Sequence, residues 1–247
     1  MKQLSIIALL FLTIACSPQK DRKAQVDTEN LSPEKKDSLI EKIEMEFQQP
    51  IVLKGTNQIL MPLGTNMGNW KERKSSYKDA YQMNYWNVLF FDRMNGNSKL
   101  LTKEKVNIST IRVNQNEEYS ERNEVLKDHV LYQMRSLDMN KDGLLNSKDP
   151  EYLYSSKLDG QSLMRISPEN ENLLSYQVVP KSNQIILRSA RDSNKDSDFD
   201  NNDKSYWYIA DLKENAWSIK EIVDKAQEKE LQTLFFEQWM EKQGAGQ

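Results

Sequence analysis

The sequence Asp138-Met139-Asn140-Lys141-Asp142-Gly143-Leu144-Leu145-Asn146-Ser147-Lys148-Asp149, with Tyr152-Leu153-Tyr154 behind it, returns later in the chain. The second copy is Asp192-Ser193-Asn194-Lys195-Asp196-Ser197-Asp198-Phe199-Asp200-Asn201-Asn202-Asp203, followed by Tyr206-Trp207-Tyr208. The two lie 54 positions apart, and that offset also pairs Asn140 with Asn194, Asp142 with Asp196, Asp149 with Asp203 and Leu158 with Leu212. A fixed offset that keeps returning matches marks a structural repeat. Each copy reads strand, acidic loop, strand, because short aromatic and β-branched runs flank an Asx-rich segment. A looser copy precedes them, where Asn87 to Phe91, the turn Asp92-Arg93-Met94-Asn95-Gly96 and Ser98 to Thr102 resemble the hairpin Tyr152 to Ile166.

Outward from the repeat, other short apolar runs have the same character. Gln58 to Met61, Tyr85 to Phe91, Val130 to Leu137, Gln184 to Ser189 and Tyr206 to Leu212 are expected strands. Two stretches change period. Ser32-Pro33 reads as an N-cap and first helical residue, with Leu39, Ile40, Ile43 and Phe47 following at helical spacing. Near the other end Leu231, Leu234, Phe235 and Trp239 share one helical face, predicting a terminal helix over about 226–242 that covers a sheet. The expected fold is therefore mainly β, with a short N-terminal and a C-terminal helix.

The first acidic loop resembles the twelve-residue EF-hand-type calcium loop. Calcium takes six to eight hard oxygen ligands at about 2.3–2.6 Å, and this spacing supplies them. By that resemblance Asp138, Asn140 and Asp142 offer side-chain oxygens, and Gly143 makes the sharp turn. The Leu144 carbonyl adds a backbone oxygen, Leu145 tucks inward, Asn146 ligates through water and Asp149 closes the shell in place of the usual Glu. The second set is Asp192, Asn194, Asp196, Asp198, Asp200 and Asp203, with Ser197 where glycine belongs. A left-handed backbone at a residue bearing a Cβ costs about 1 kcal/mol. Strands flank both loops, so a helix-opening switch is not expected and calcium should be structural. The alternative is that each loop is an Asx-rich surface turn.

The stretch Tyr176-Gln177-Val178-Val179-Pro180-Lys181-Ser182-Asn183-Gln184-Ile185-Ile186-Leu187-Arg188-Ser189-Ala190-Arg191 resembles the blade signature of TolB-type, WD-repeat-like β-propellers. Asp159-Gly160 and Met164-Arg165-Ile166-Ser167-Pro168 resemble that family's hairpin turn and its exit. Tyr176 stands where the family has Trp, and Ser182-Asn183 where it has Asp-Gly. The resemblance implies a propeller-like repeat of antiparallel strands over residues 35–247, in three to four blades. Closed propellers have four or more, so an open or sandwich-like stack is the other outcome.

The N-terminus speaks to location. Lys2 precedes the apolar run Leu4 to Ala15, and the only cysteine, Cys16, follows it. Twelve helical residues span about 18 Å, short of the roughly 30 Å hydrocarbon core, so residues 1–15 read as a secretion signal. Thr13-Ile14-Ala15-Cys16 resembles a bacterial lipobox, with Thr13 in place of the usual leucine. That implies diacylglycerol on Cys16, a lipidated flexible tether over 16–34, and anchorage in the cell envelope. Ser17 after the cysteine points to the outer membrane, facing the periplasm. With one thiol no intrachain disulfide can form, which leaves bound metal as a source of stability.

Composition removes other classes. A formal charge of −3 with no basic stripe argues against nucleic acid as a partner. His129 is the only histidine, which excludes a multi-histidine zinc site and leaves a structural role. There is no Gly-x-Ser-x-Gly elbow, P-loop or Gly-x-Gly-x-x-Gly cradle. Trp86, Trp207 and Trp217 suit core packing or a carbohydrate groove. The expected function is a non-enzymatic binding or scaffolding lipoprotein with a protein or glycan ligand; the alternative is a calcium-stabilised hydrolase of extracellular polymer.

Overall fold

The computed structural model describes residues 32–41, 45–64, 84–114, 124–200, 202–213 and 216–240. Two compact units divide the chain, Met1–Glu44 and Met45–Gln247. The expected secretion signal, Cys16 and nearly all of the expected tether lie outside the described residues, as do the terminal residues 241–247. No described helix is long and apolar enough to cross a membrane. In the first unit, helix α1 spans Pro33–Ile40, with the proline at the first helical position as expected. The helical spacing does not carry on to Phe47, which belongs to the second unit and forms an antiparallel bridge with Leu63.

The second unit is built on antiparallel strands: β1 Ile51–Val52, β2 Gln58–Gly64, β3 Tyr85–Asp92, β4 Ser98–Leu100, β5 Asn107–Arg112, β6 His129–Arg135, β7 Tyr152–Lys157, β8 Met164–Arg165, β9 Glu171–Val178, β10 Gln184–Arg191, β11 Lys204–Lys213 and β12 Ala216–Glu221. One sheet runs β1-β2-β3-β5-β6-β7-β8 with β4 also on β3, and the other runs β12-β11-β10-β9. Neither described sheet closes on itself. The larger sheet is two four-strand runs, β1–β4 and β5–β8, which meet at one residue pair, Tyr85 with Ile108. With β9–β12 the described residues thus form three consecutive four-strand antiparallel runs.

Side chains alternate across a strand, so one strand can feed two cores. In β6, Val130, Tyr132 and Met134 enter a cluster with Leu60, Val88 and Phe90 of the first run. Leu131 points the other way, into a cluster with Leu153, Leu173, Ile185, Leu187 and Tyr208. Helix α2, Glu124–Asp128, adds Val125 and Leu126 to that second cluster. The middle run therefore buries both of its faces. Tyr132, fully buried, satisfies its hydroxyl on Ser156 Oγ at 2.8 Å, and burial holds its pKa far above the ordinary phenol value.

The C-terminal helix α3 spans Lys225–Phe235 and widens into a π turn over Phe236–Met240. Asp224 caps it, accepting from the Ala226 and Gln227 N–H groups, while Gln227 reaches back to the Asp224 N–H. It does not cover a sheet. None of its residues is buried, and Leu231, Phe235 and Trp239 are all more than half exposed.

Candidate metal-binding loops

Both acidic loops occupy the same place in their runs. The first joins β6 to β7 and the second joins β10 to β11, in each case the second strand to the third. Asp138 accepts from the Gly143 N–H at 2.8 Å, and Asn140 Oδ1 from the Asp142 N–H at 2.9 Å. Asp142 accepts from the Leu144 N–H at 2.8 Å, while Asp149 takes the N–H groups of Met139 and Asn146 at 3.0 and 2.9 Å. The second loop repeats all five bonds at the 54-residue offset. Asp192 accepts from Ser197 (3.0 Å), Asn194 from Asp196 (3.1 Å) and Asp196 from Asp198 (2.9 Å). Asp203 accepts from Ser193 and Asp200 at 2.8 and 3.2 Å.

The backbones agree as well. Lys141 and Lys195 have φ of 57° and 64°, and Gly143 and Ser197 have φ of 82° and 64°. Ser197 thus adopts the left-handed turn that glycine makes in the first loop, at a cost of about 1–2 kcal/mol. Leu145 is half-buried, and so is Phe199 at the matching position. Asp149 is buried at 2 % exposure and Asp142 is fully exposed. The Leu144 N–H is the main cause holding the Asp142 carboxyl below its ordinary pKa.

The loop residues fit a hard cation in kind and in spacing, since every candidate donor is oxygen. Among the described residues no three His, Cys, Asp or Glu side chains gather into a ready-made cage. The carboxylates instead face the loop's own N–H groups. A carboxylate has about four lone-pair sites, so one that accepts an N–H retains capacity for a cation.

Charged clamps that the sequence did not disclose hold the loop stems. Arg135 donates to the Asp149 carbonyl at 3.2 Å and pairs with Glu151 at 3.1 Å, while Ser109 and Gln133 also donate to Glu151. Under the second loop Arg191 bridges Glu171 at 2.7 Å and Glu221 at 2.8 Å. Tyr208 donates to buried Glu171, and the Arg191 guanidinium lies 4.1 Å from the Tyr206 ring centre. An arginine just before each loop is the only linear hint, and its partners lie 14 to 30 residues away.

The remaining candidates fall elsewhere. His129 is buried edge-on to Trp217, 6.3 Å between ring centres. Trp217 donates to Ser155 and packs into the core, Trp86 is half-buried, and Trp207 is 48 % exposed. An open cleft of about 470 Å³ lies against Gln58, Asp92, Asp128, Lys157, Asp159 and Gln161.

No known protein family matches the chain, and no curated protein does. Among solved structures the tricorn protease aligns over 71 % of this chain and 19 % of its own length, at 10 % identity and a TM-score of 0.34. The chain spans about a fifth of that protein, and a likeness so slight carries no argument.

Proposed function

We propose that this protein is an exported lipoprotein, anchored through Cys16 to the periplasmic face of the outer membrane, and that calcium in two loops stabilises a propeller-like repeat. The three four-strand runs are its blades, in sheets that do not close among the described residues. It acts as a binding or scaffolding module for a protein or glycan. The observation that carries this reading is the five-bond scaffold shared by two loops 54 residues apart in the chain, with hard oxygens at the same positions in each. A plain surface turn needs neither that repetition nor so many acids, which repel one another without a cation.

Asp138, Asn140, Asp142, the Leu144 carbonyl, Asn146 and Asp149 would hold one ion, and Asp192, Asn194, Asp196, Asp198, Asp200 and Asp203 the other. A bound ion would neutralise the acids and tie β6 to β7 and β10 to β11. A ligand at 100 times its dissociation constant stabilises by about 2.7 kcal/mol. Isothermal titration of chelator-stripped protein should show two sites at up to millimolar calcium, with magnesium a poor substitute. Asp142→Ala should remove one site and Asp196→Ala the other. Absence of binding at millimolar calcium would leave the loops as turns and end the calcium reading.

A further inference from the structure

Besides Arg135 at its closing residue, two side chains from the start of β5 and just before it reach the turn of the first loop through its backbone. Asn107, the first residue of β5, donates through Nδ2 to the Leu145 carbonyl at 2.7 Å, and Lys105 donates through Nζ to the Gly143 carbonyl at 2.5 Å. The carbonyl between them, that of Leu144, accepts no hydrogen bond from any described residue. In the second loop the matching carbonyls of Ser197 and Phe199 receive no described donor. The two loops share an internal scaffold and differ in this external support.

We propose that Asn107, seconded by Lys105, is a positioning residue for the first loop: it fixes the peptide units on either side of Leu144, leaves the Leu144 carbonyl open as a cation ligand, and makes cation binding a brace between the loop and β5. The proposal rests on the calcium reading above. The asymmetry has a thermodynamic meaning. Asn107 restrains a backbone ligand before the ion arrives, which lowers the ordering cost of binding. It also links that ion to the start of β5, close to the junction of the first two runs at Tyr85 and Ile108. Among the described residues the second loop has no such link.

The test places Asn107→Ala in two backgrounds, Asp196→Ala, which isolates the first loop, and Asp142→Ala, which isolates the second. Calcium titration should show first-loop affinity weakened about 10- to 100-fold, the range for removing an outer partner of a metal ligand, with second-loop affinity unchanged. Melting in chelator separates positioning from plain structure. An Asn107→Ala protein that melts lower in chelator but keeps the full calcium-induced rise overturns the proposal. A further measurement needs no Asn107 variant: calcium should slow amide exchange across Val106 to Ile111, and Asp142→Ala should abolish that slowing. Unchanged exchange there, with two calcium ions bound, overturns the proposal and leaves the calcium reading standing. No binding by the wild-type protein overturns both.

Discussion

Gly160, in the turn between β7 and β8, has φ of +78°, and a Cβ there would stand 2.6 Å from the ring of Phe90 in β3. Gly160→Ala therefore incurs a left-handed penalty of about 1–2 kcal/mol and an overpacking penalty of about 1–3 kcal/mol. A loss of about 3 kcal/mol is expected, read as a lower urea midpoint at unchanged slope. Gly96, at φ +73° with nothing within 4 Å, supplies the control, since alanine there meets only the backbone penalty. His129 gives a pH dependence. Burial chiefly, then the Lys157 charge, lowers its pKa below the ordinary 6.5. The neutral ring is what the folded state holds, so this contribution is complete above about pH 6.5 and declines as pH falls below it. Urea midpoints should drop between pH 7 and pH 5, and His129→Leu should flatten that drop. The hydrogen-bonded scaffold of the two loops follows from residues close together in sequence, so its repetition was legible. Glu151, Glu171, Arg191 and Asn107 were not, because only strand pairing brings partners so far apart in sequence together.

Helix α3 shows how far an element can be read from its period. The spacing of Leu231, Phe235 and Trp239 correctly announced a helix, and Asp224 with Gln227 closes its N-terminus. Periodicity reports that an apolar face exists and not what it meets, and here that face stays exposed. Truncation before Lys225 should accordingly leave the midpoint of thermal unfolding within about 2 °C of the full chain, since a shift that small corresponds to about 1 kcal/mol or less. A larger fall would mean that the helix supports the core. Strand β2 carries the opposite lesson. Pro62 marked an expected end, yet the strand runs on to Gly64. Proline lacks only the donor; its carbonyl still accepts from the Gln48 N–H at 2.9 Å.

Across the whole molecule the repeat told that the chain is mainly β and where the hairpins of the last two runs fall. It did not tell that the first two runs share a sheet, because one residue pair, Tyr85 with Ile108, makes that junction and leaves no pattern in the sequence. Location is a separate question with its own test: Cys16→Ala should move the protein from the membrane pellet to the soluble fraction. The burial of both faces of the middle run has a consequence under load. Strands β9–β12 hydrogen-bond antiparallel among themselves, with one register shift between Arg188 and Ser189, while Leu173 and Leu187 share an apolar cluster with Leu131 and Leu153. Pulled from its C-terminus in an optical trap, the chain should unzip β12, β11 and β10 in turn at low force. The middle run, clasped from both sides until then, should yield only afterwards. Extension should therefore come in ordered steps, the first releasing the length of the last run, and millimolar calcium should raise the force at which β10 and β11 part.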